Sequence, residues 1–152
     1  MFPYIAVFLV IVFLTFIHHQ FNFNRSTSSL WKSLTFVMLL IFIGLRHEVG
    51  GDWFAYLRWY QNVESRGLSF SLESFILSDW GYNFLNWLVS KLRLGIYGVN
   101  TACAFIFLLG LFSFLDYLGS DRDFYLGLLI SYPYLIMVVA NGYTRQSVAI
   151  GL

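Results

Sequence analysis

A chain of 152 residues in which 59% are hydrophobic, 21% aromatic and only 11% charged lacks the polar surface of an ordinary soluble domain, where about a quarter of residues are charged. With a mean hydropathy of +0.69 it reads as an integral membrane protein, and a net charge of +1 without a polybasic tract argues against nucleic acid as a partner. One cysteine and three histidines, in no ligand spacing, point away from disulfides and from a metal site, and no cofactor is expected.

A helix rising about 1.5 Å per residue needs about 20 mostly apolar residues to cross a hydrocarbon core about 30 Å thick. The first such run is 2–17. It has no basic flank before it and no small-residue cleavage motif after it, so it reads as a retained span rather than a signal peptide. His18 and His19, just beyond it, read as interfacial residues. The second span is expected at 30–45, with Trp31 and Lys32 placed to anchor or snorkel at an interface. A third is expected at 97–118, holding Cys103 as a small packing residue. A fourth, at 124–143, contains Pro133, which predicts a kink compensated by Ser131 or a neighbouring helix. A fifth begins at 147 in the apolar run SVAIGL and reaches Leu152 without a cap or a basic flank. That pattern predicts that 1–152 is one transmembrane domain, the N-terminal piece of a longer polytopic protein. The expected fold class is all-α, a polytopic helical bundle.

Between the second and third spans lie roughly fifty residues, too many for a structureless loop in a compact protein. In 52–64 the residues Trp53, Tyr56, Leu57, Tyr60 and Val63 recur at three- and four-residue steps, with Arg58, Gln61 and Glu64 elsewhere and Asp52 as N-cap. This is the pattern of an interfacial amphipathic helix. After Arg66 and Gly67, LSFSLESFIL offers another short helix. A third stretch, 79–92, carries Trp80, Phe84, Leu85, Trp87, Leu88 and Leu92, with Lys91 and Arg93 suited to a helix C-terminus. It would lie on the membrane or dip into it.

The loop 18–29 holds Arg25, with Lys32 beside it and no acid, so the positive-inside rule places it in the cytoplasm. The turn 120–123, with Arg122 among Asp116, Asp121 and Asp123, supports this orientation only weakly. Parity puts the 46–96 connection and residues 143–146 on one face whatever the orientation, and the positive-inside reading makes that face the outer one.

Two polar clusters meet at that face. One is Arg46, His47, Glu48, Gly50, Gly51 and Asp52; the other is Tyr143, Thr144, Arg145 and Gln146. An arginine at a span end offers a planar, two-pronged donor set to phosphate or carboxylate, and two from separate helices suit a pyrophosphate. Gly50 and Gly51 permit a positive φ or close backbone approach. Asp52, and after it Glu48 or His47, could take a proton or orient an arginine. Blander readings compete: Arg46 as an interfacial anchor, Asp52 as only an N-cap, His47 as a loop residue.

The order Gly44-Leu45-Arg46, then Gly50-Gly51-Asp52 and Tyr56, then Asp79-Trp80-Gly81-Tyr82 before Leu85 and Leu88, then Tyr143-Thr144-Arg145-Gln146 and Ala149 resembles the EpsG family. These are bacterial inner-membrane proteins related to the Wzy-type polymerases of O antigen, capsule and exopolysaccharide. Gly51 departs from the pattern, where Ser or Thr is expected. The resemblance implies a glycosyltransferase-type polymerase at the outer face of the inner membrane. It would join oligosaccharide repeat units carried on undecaprenyl pyrophosphate, without a nucleotide sugar. Implied partners are that lipid-linked oligosaccharide, membrane lipid and other polysaccharide-assembly proteins. Family members are more than twice this long, so the resemblance also implies missing spans and a piece inactive alone. In this chemistry Arg46 and Arg145 converge on the pyrophosphate, Asp52 is base or orienter with Glu48 and His47 as alternates, and Gly50, Gly51, Tyr143 and Gln146 support them. The competing classes are a flippase or transporter of lipid-linked oligosaccharide and a non-catalytic membrane subunit. Spans nearly free of ionisable groups favour chemistry at one face over a transport path.

Overall fold

The structure, a computed structural model, describes residues 2–73 and 80–152, of which 67–73 and 80 as backbone only. Described residues fold into helices α1 (Phe2–Gln20), α2 (Arg25–Gly44), α3 (Trp53–Glu73), α4 (Trp80–Lys91), α5 (Gly95–Tyr117), α6 (Asp121–Ser131) and α7 (Thr144–Gly151). A π-helical segment, Tyr132–Ala140, continues α6. Among the described residues four stretches are long and apolar enough to cross a membrane: Phe2–Gln20, Arg25–Gly44, Gly95–Tyr117 and Asp121–Ala140. The molecule is an all-helical, multi-pass membrane bundle.

Caps explain why two spans begin ahead of their apolar runs. Asn24 accepts the Thr27 N–H at 2.8 Å and starts α2 through the polar stretch RSTSS. The Ser120 hydroxyl accepts the Asp123 N–H at 3.1 Å and starts α6. Each side chain satisfies a backbone donor that the first helical turn leaves open.

Three further differences from the sequence expectation have local causes. Helix α3 does not stop at Arg66–Gly67 but runs to Glu73, since one glycine inside a helix costs only about 1 kcal/mol. Residues 68–73 of LSFSLESFIL therefore continue α3. The remainder of that stretch and Asp79 lie outside the described residues. Pro133 sits at the start of a π-helical segment, and Ser131 makes no capping bond there. Proline lacks an N–H and its ring clashes with the carbonyl four residues back, and a wider turn relieves both. Asn141 reinforces that wide spacing by donating its amide to the Ile136 carbonyl, five residues back, at 2.9 Å. Finally, α7 begins at Thr144 rather than at Ser147, so the polar residues of TRQ form its first turn.

Helix α5 is the central element and packs against α2, α4, α6, α7 and α3. Its Phe107, Leu108 and Leu115 join Ile11 and Leu14 of α1, Leu39 and Ile43 of α2, Phe124 and Leu128 of α6, and Ile136 in the main core. A second core joins Trp53, Tyr56 and Tyr60 of α3 to Val89 of α4 and to Ile96, Val99 and Cys103 of α5. The outer faces stay apolar, with Phe13 and Phe16 of α1 and Leu34 and Ile41 of α2 exposed, as lipid-facing helices require.

Backbones approach closely where α5 crosses α7. A Cβ added to Gly110 would run into the Gly151 backbone, and one on Gly151 into the backbone of Ile106 and Phe107. Small residues at a crossing of this kind are what let membrane helices pack tightly. Gly110→Val is therefore expected to pry α7 from α5, at a cost of about 1–3 kcal/mol or more. A lowered melting temperature in detergent checks this.

At the end of the bundle away from the long connection, Lys32 Nζ lies 2.7 Å from Asp116 and 2.9 Å from Asp121, tying α2 to the α5–α6 turn. His18 is buried there at 3% exposure. Its Nδ1 donates to the Leu14 carbonyl at 2.9 Å and its ring lies 4.1 Å from that of Tyr125. Both residues are thus part of the packing rather than simple interfacial anchors.

Candidate functional site

The chain leaves α2 at Gly44 and turns back through a loop with left-handed backbone at Glu48 (φ 51°) and Gly50 (φ 92°). Gly50 has both reasons to be glycine. Its φ is costly for other residues, and a Cβ there would lie 2.8 Å from the Gly142 carbonyl oxygen and 3.2 Å from that of Asn141. This backbone contact seats the first polar cluster against the turn ahead of α7, which carries the second. Gly51 lies in open space.

The two arginines end up in different surroundings. Arg46 is 5% exposed. Its Nη1 donates to the Ala140 carbonyl at 2.8 Å and its Nη2 to Thr144 Oγ1 at 2.5 Å, while Nε has no partner among the described residues. It therefore ties the end of the π segment to the start of α7. Burial lowers the pKa of its guanidinium below the ordinary value, though not far enough to discharge an arginine. Among the described residues no carboxylate forms an ion pair with it.

Arg145, one residue beyond Thr144, is exposed. Its Cζ lies 5.8 Å from the Tyr56 ring and 6.0 Å from the Tyr82 ring, within reach of cation–π attraction. Those two rings meet edge to face at 5.8 Å. Burial pushes the Tyr82 phenol well above the ordinary tyrosine value, keeping it neutral.

Arg145 borders a cavity of about 740 Å³ between α3, α4, α5 and α7. The lining changes character in the same sense along two helices. On α4 it passes from Tyr82 to Leu85 and Leu88, and on α7 from Arg145 and Gln146 to Val148, Ala149 and Leu152. Asp52, Tyr56 and Tyr143 add to the polar part, and Phe84 and Ile106 to the apolar part. The cavity is amphiphilic, suited to a ligand with an anionic or hydroxylated head and a hydrocarbon tail. A smaller cavity of about 240 Å³ adjoins it, and the two share Asp52, Tyr56, Tyr82 and Arg145 as walls.

Of the three candidate proton acceptors, Asp52 lines both cavities. His47 and Glu48 line neither. His47 Nδ1 shares a 2.7 Å hydrogen bond with the Tyr97 hydroxyl, its ring contacts Trp53 and Tyr97, and its Nε2 lies 3.8 Å from Glu48. Tyr143 and Gln146 reach the larger cavity. Arg46 lies behind it and lines neither. The aromatic clamp of Tyr56 and Tyr82 carries a role that the sequence, which shows Tyr56 on an amphipathic face and Tyr82 only within the family motif, did not assign. Asn83, 2% exposed, was likewise overlooked. The available signal was Asn83 and Asn86, three residues apart and so on one face of a helix otherwise rich in apolar residues.

Comparison with known protein families matches the EpsG family over residues 29–152. No curated protein and no solved structure matches the chain.

Proposed function

The chain belongs to the EpsG family, a Wzy-like family of polysaccharide polymerases, and from that membership we propose that it joins oligosaccharide repeat units carried on undecaprenyl pyrophosphate, in O-antigen, capsule or exopolysaccharide synthesis. The observation that carries this reading is the amphiphilic cavity with Arg145 at its polar part. A lipid pyrophosphate has matching chemistry, a long hydrocarbon ending in an anion. The apolar walls on α4 and α7 accept the prenyl chain and the Arg145 fork accepts the pyrophosphate.

In the transfer, the bond between the anomeric carbon of the growing chain and the pyrophosphate oxygen breaks. A hydroxyl oxygen of the second lipid-linked unit forms the new glycosidic bond at that carbon. The hydroxyl proton passes to the Asp52 carboxylate, and undecaprenyl pyrophosphate leaves with its charge stabilised by Arg145. Arg46 acts behind this pair by holding Thr144 and Ala140, which sets where α7 begins and so where Arg145 stands. The positive-inside reading supports the outer face as the site of this reaction, and family membership supports the bacterial inner membrane.

Asp52→Asn keeps size and removes the proton acceptor, so it is expected to lower polymer formation by about 10²–10⁴-fold. Glu48→Gln, outside both cavities, is expected to change it much less. The proposal itself is tested in proteoliposomes holding the full protein and lipid-linked repeat units, by gel separation of the saccharide. A ladder of lengths is the expected result. Repeat units moved across the bilayer and left unjoined would mark a flippase and overturn the polymerase reading.

A further inference from the structure

The smaller cavity is not needed to hold a prenyl chain or its pyrophosphate, yet it shares a wall with the cavity that would. Beyond the shared Asp52, Tyr56, Tyr82 and Arg145 it is lined by Ala55, Trp59 and Asn83. At about 240 Å³ it has about a third of the volume of its neighbour. Its surface combines three aromatic rings with a carboxylate and an amide. A sugar ring presents the complementary surfaces, patches of C–H that pack on aromatic rings and a rim of hydroxyls that bond to carboxylate and amide groups.

The order of the two linings repeats the order of groups in a lipid-linked saccharide. Leu85, Leu88, Val148 and Leu152 line the larger cavity alone, Arg145 lines both, and Trp59 and Asn83 line the smaller one alone, as hydrocarbon, pyrophosphate and sugar follow one another in the ligand. The far wall is also fixed in place, since Trp59 Nε1–H donates to Asn83 Oδ1 at 2.7 Å and Asn83 is 2% exposed. A wall held in one arrangement before the ligand arrives loses less entropy on binding.

We propose that this smaller cavity is the subsite for the sugar attached to the pyrophosphate, with Trp59 and Asn83 as specificity-determining residues. The proposal rests on the reading of the larger cavity as the site of the lipid pyrophosphate. Asp52, in the wall common to both cavities, then stands beside the anomeric carbon where the bond is exchanged.

The test compares two probes bound to the full protein in lipid nanodiscs: undecaprenyl pyrophosphate alone, and the lipid-linked saccharide extracted from the producing cell. Wild-type protein is expected to hold the saccharide-bearing lipid about tenfold more tightly, the scale of one or two net hydrogen bonds. Ala55→Trp fills the smaller cavity from an exposed position, and Trp59→Leu removes the indole. Both are expected to bring the ratio to about one while the bare lipid binds as before, which also shows that the variants are folded. Trp59→Phe, keeping a ring, is expected to retain part of the preference. A tenfold preference that survives both substitutions, or equal loss of both lipids, would overturn the sugar subsite. Equal binding of both lipids by the wild type would overturn it while leaving the larger cavity's assignment standing. Failure of the wild type to bind either lipid would overturn both.

Discussion

Arg145→Ala is expected to lower polymer formation by about 10²–10³-fold, the usual cost of removing one preorganised donor from a developing negative charge. The melting temperature should fall by only a few degrees, because Arg145 is exposed and its contacts with the Tyr56 and Tyr82 rings, at 5.8 and 6.0 Å, contribute about 0.5–1 kcal/mol each at such a site. Arg145→Lys separates charge from geometry. Lysine keeps the charge but not the planar pair of donors, so an intermediate loss is expected if the group bound is a pyrophosphate held by two prongs. Chain-length distributions from proteoliposomes read both variants. Wild-type polymer length in Arg145→Lys would refute the two-pronged contact.

Arg46 should behave in the opposite way, losing stability first and activity as a consequence. Arg46→Ala leaves the Ala140 carbonyl and the Thr144 hydroxyl without their buried donor and opens a void behind the site. The combination is expected to cost about 3–5 kcal/mol. For a chain of this size that corresponds to a melting temperature lower by on the order of 10 °C. Arg46→Met retains the bulk of the stem and is expected to lose only about 1–3 kcal/mol, the share of the hydrogen bonds. Because the guanidinium is buried without a carboxylate partner among the described residues, removing it also relieves a desolvation cost, which keeps the methionine variant at the lower end. Arg46→Lys cannot bridge two acceptors as a fork does and should resemble methionine more than arginine. Thermal unfolding in detergent ranks the three.

The different fates of these two arginines mark the limit of what the sequence could say. Both stand in short polar clusters at span ends and both suit an anion by residue type. Whether such a side chain ends in a cavity or in the packing is decided by how the loop 45–52 seats on the turn before α7, through Gly50 and Gly142. Parity along the chain placed the two clusters at one end of the bundle, yet it carries no information about which side chain faces which void. The spans themselves were legible because apolar runs of sufficient length have few alternatives in a membrane. The start of α2 was not, since RSTSS reads as a loop until Asn24 caps it. Nor was the π segment after Pro133. An apolar run gives the same composition in an α- or a π-helix, and the choice follows from strain around the proline. Tyr56 was visible as a residue of an amphipathic face and Tyr82 only as part of the Asp79-Trp80-Gly81-Tyr82 motif, and only the approach of α7 makes them a clamp for Arg145.

The most direct test of a lipid pyrophosphate in the larger cavity is photocrosslinking in proteoliposomes of the full protein with lipid-linked repeat units. A photoreactive amino acid is placed at Leu88, on the apolar wall, and as a control at Phe21, an exposed residue just beyond α1. The saccharide-bearing lipid is expected to crosslink at position 88 and not at position 21, and the position-88 signal is expected to fall when Arg145→Ala is added. Equal labelling at both positions, or labelling at position 88 indifferent to Arg145, would contradict the account.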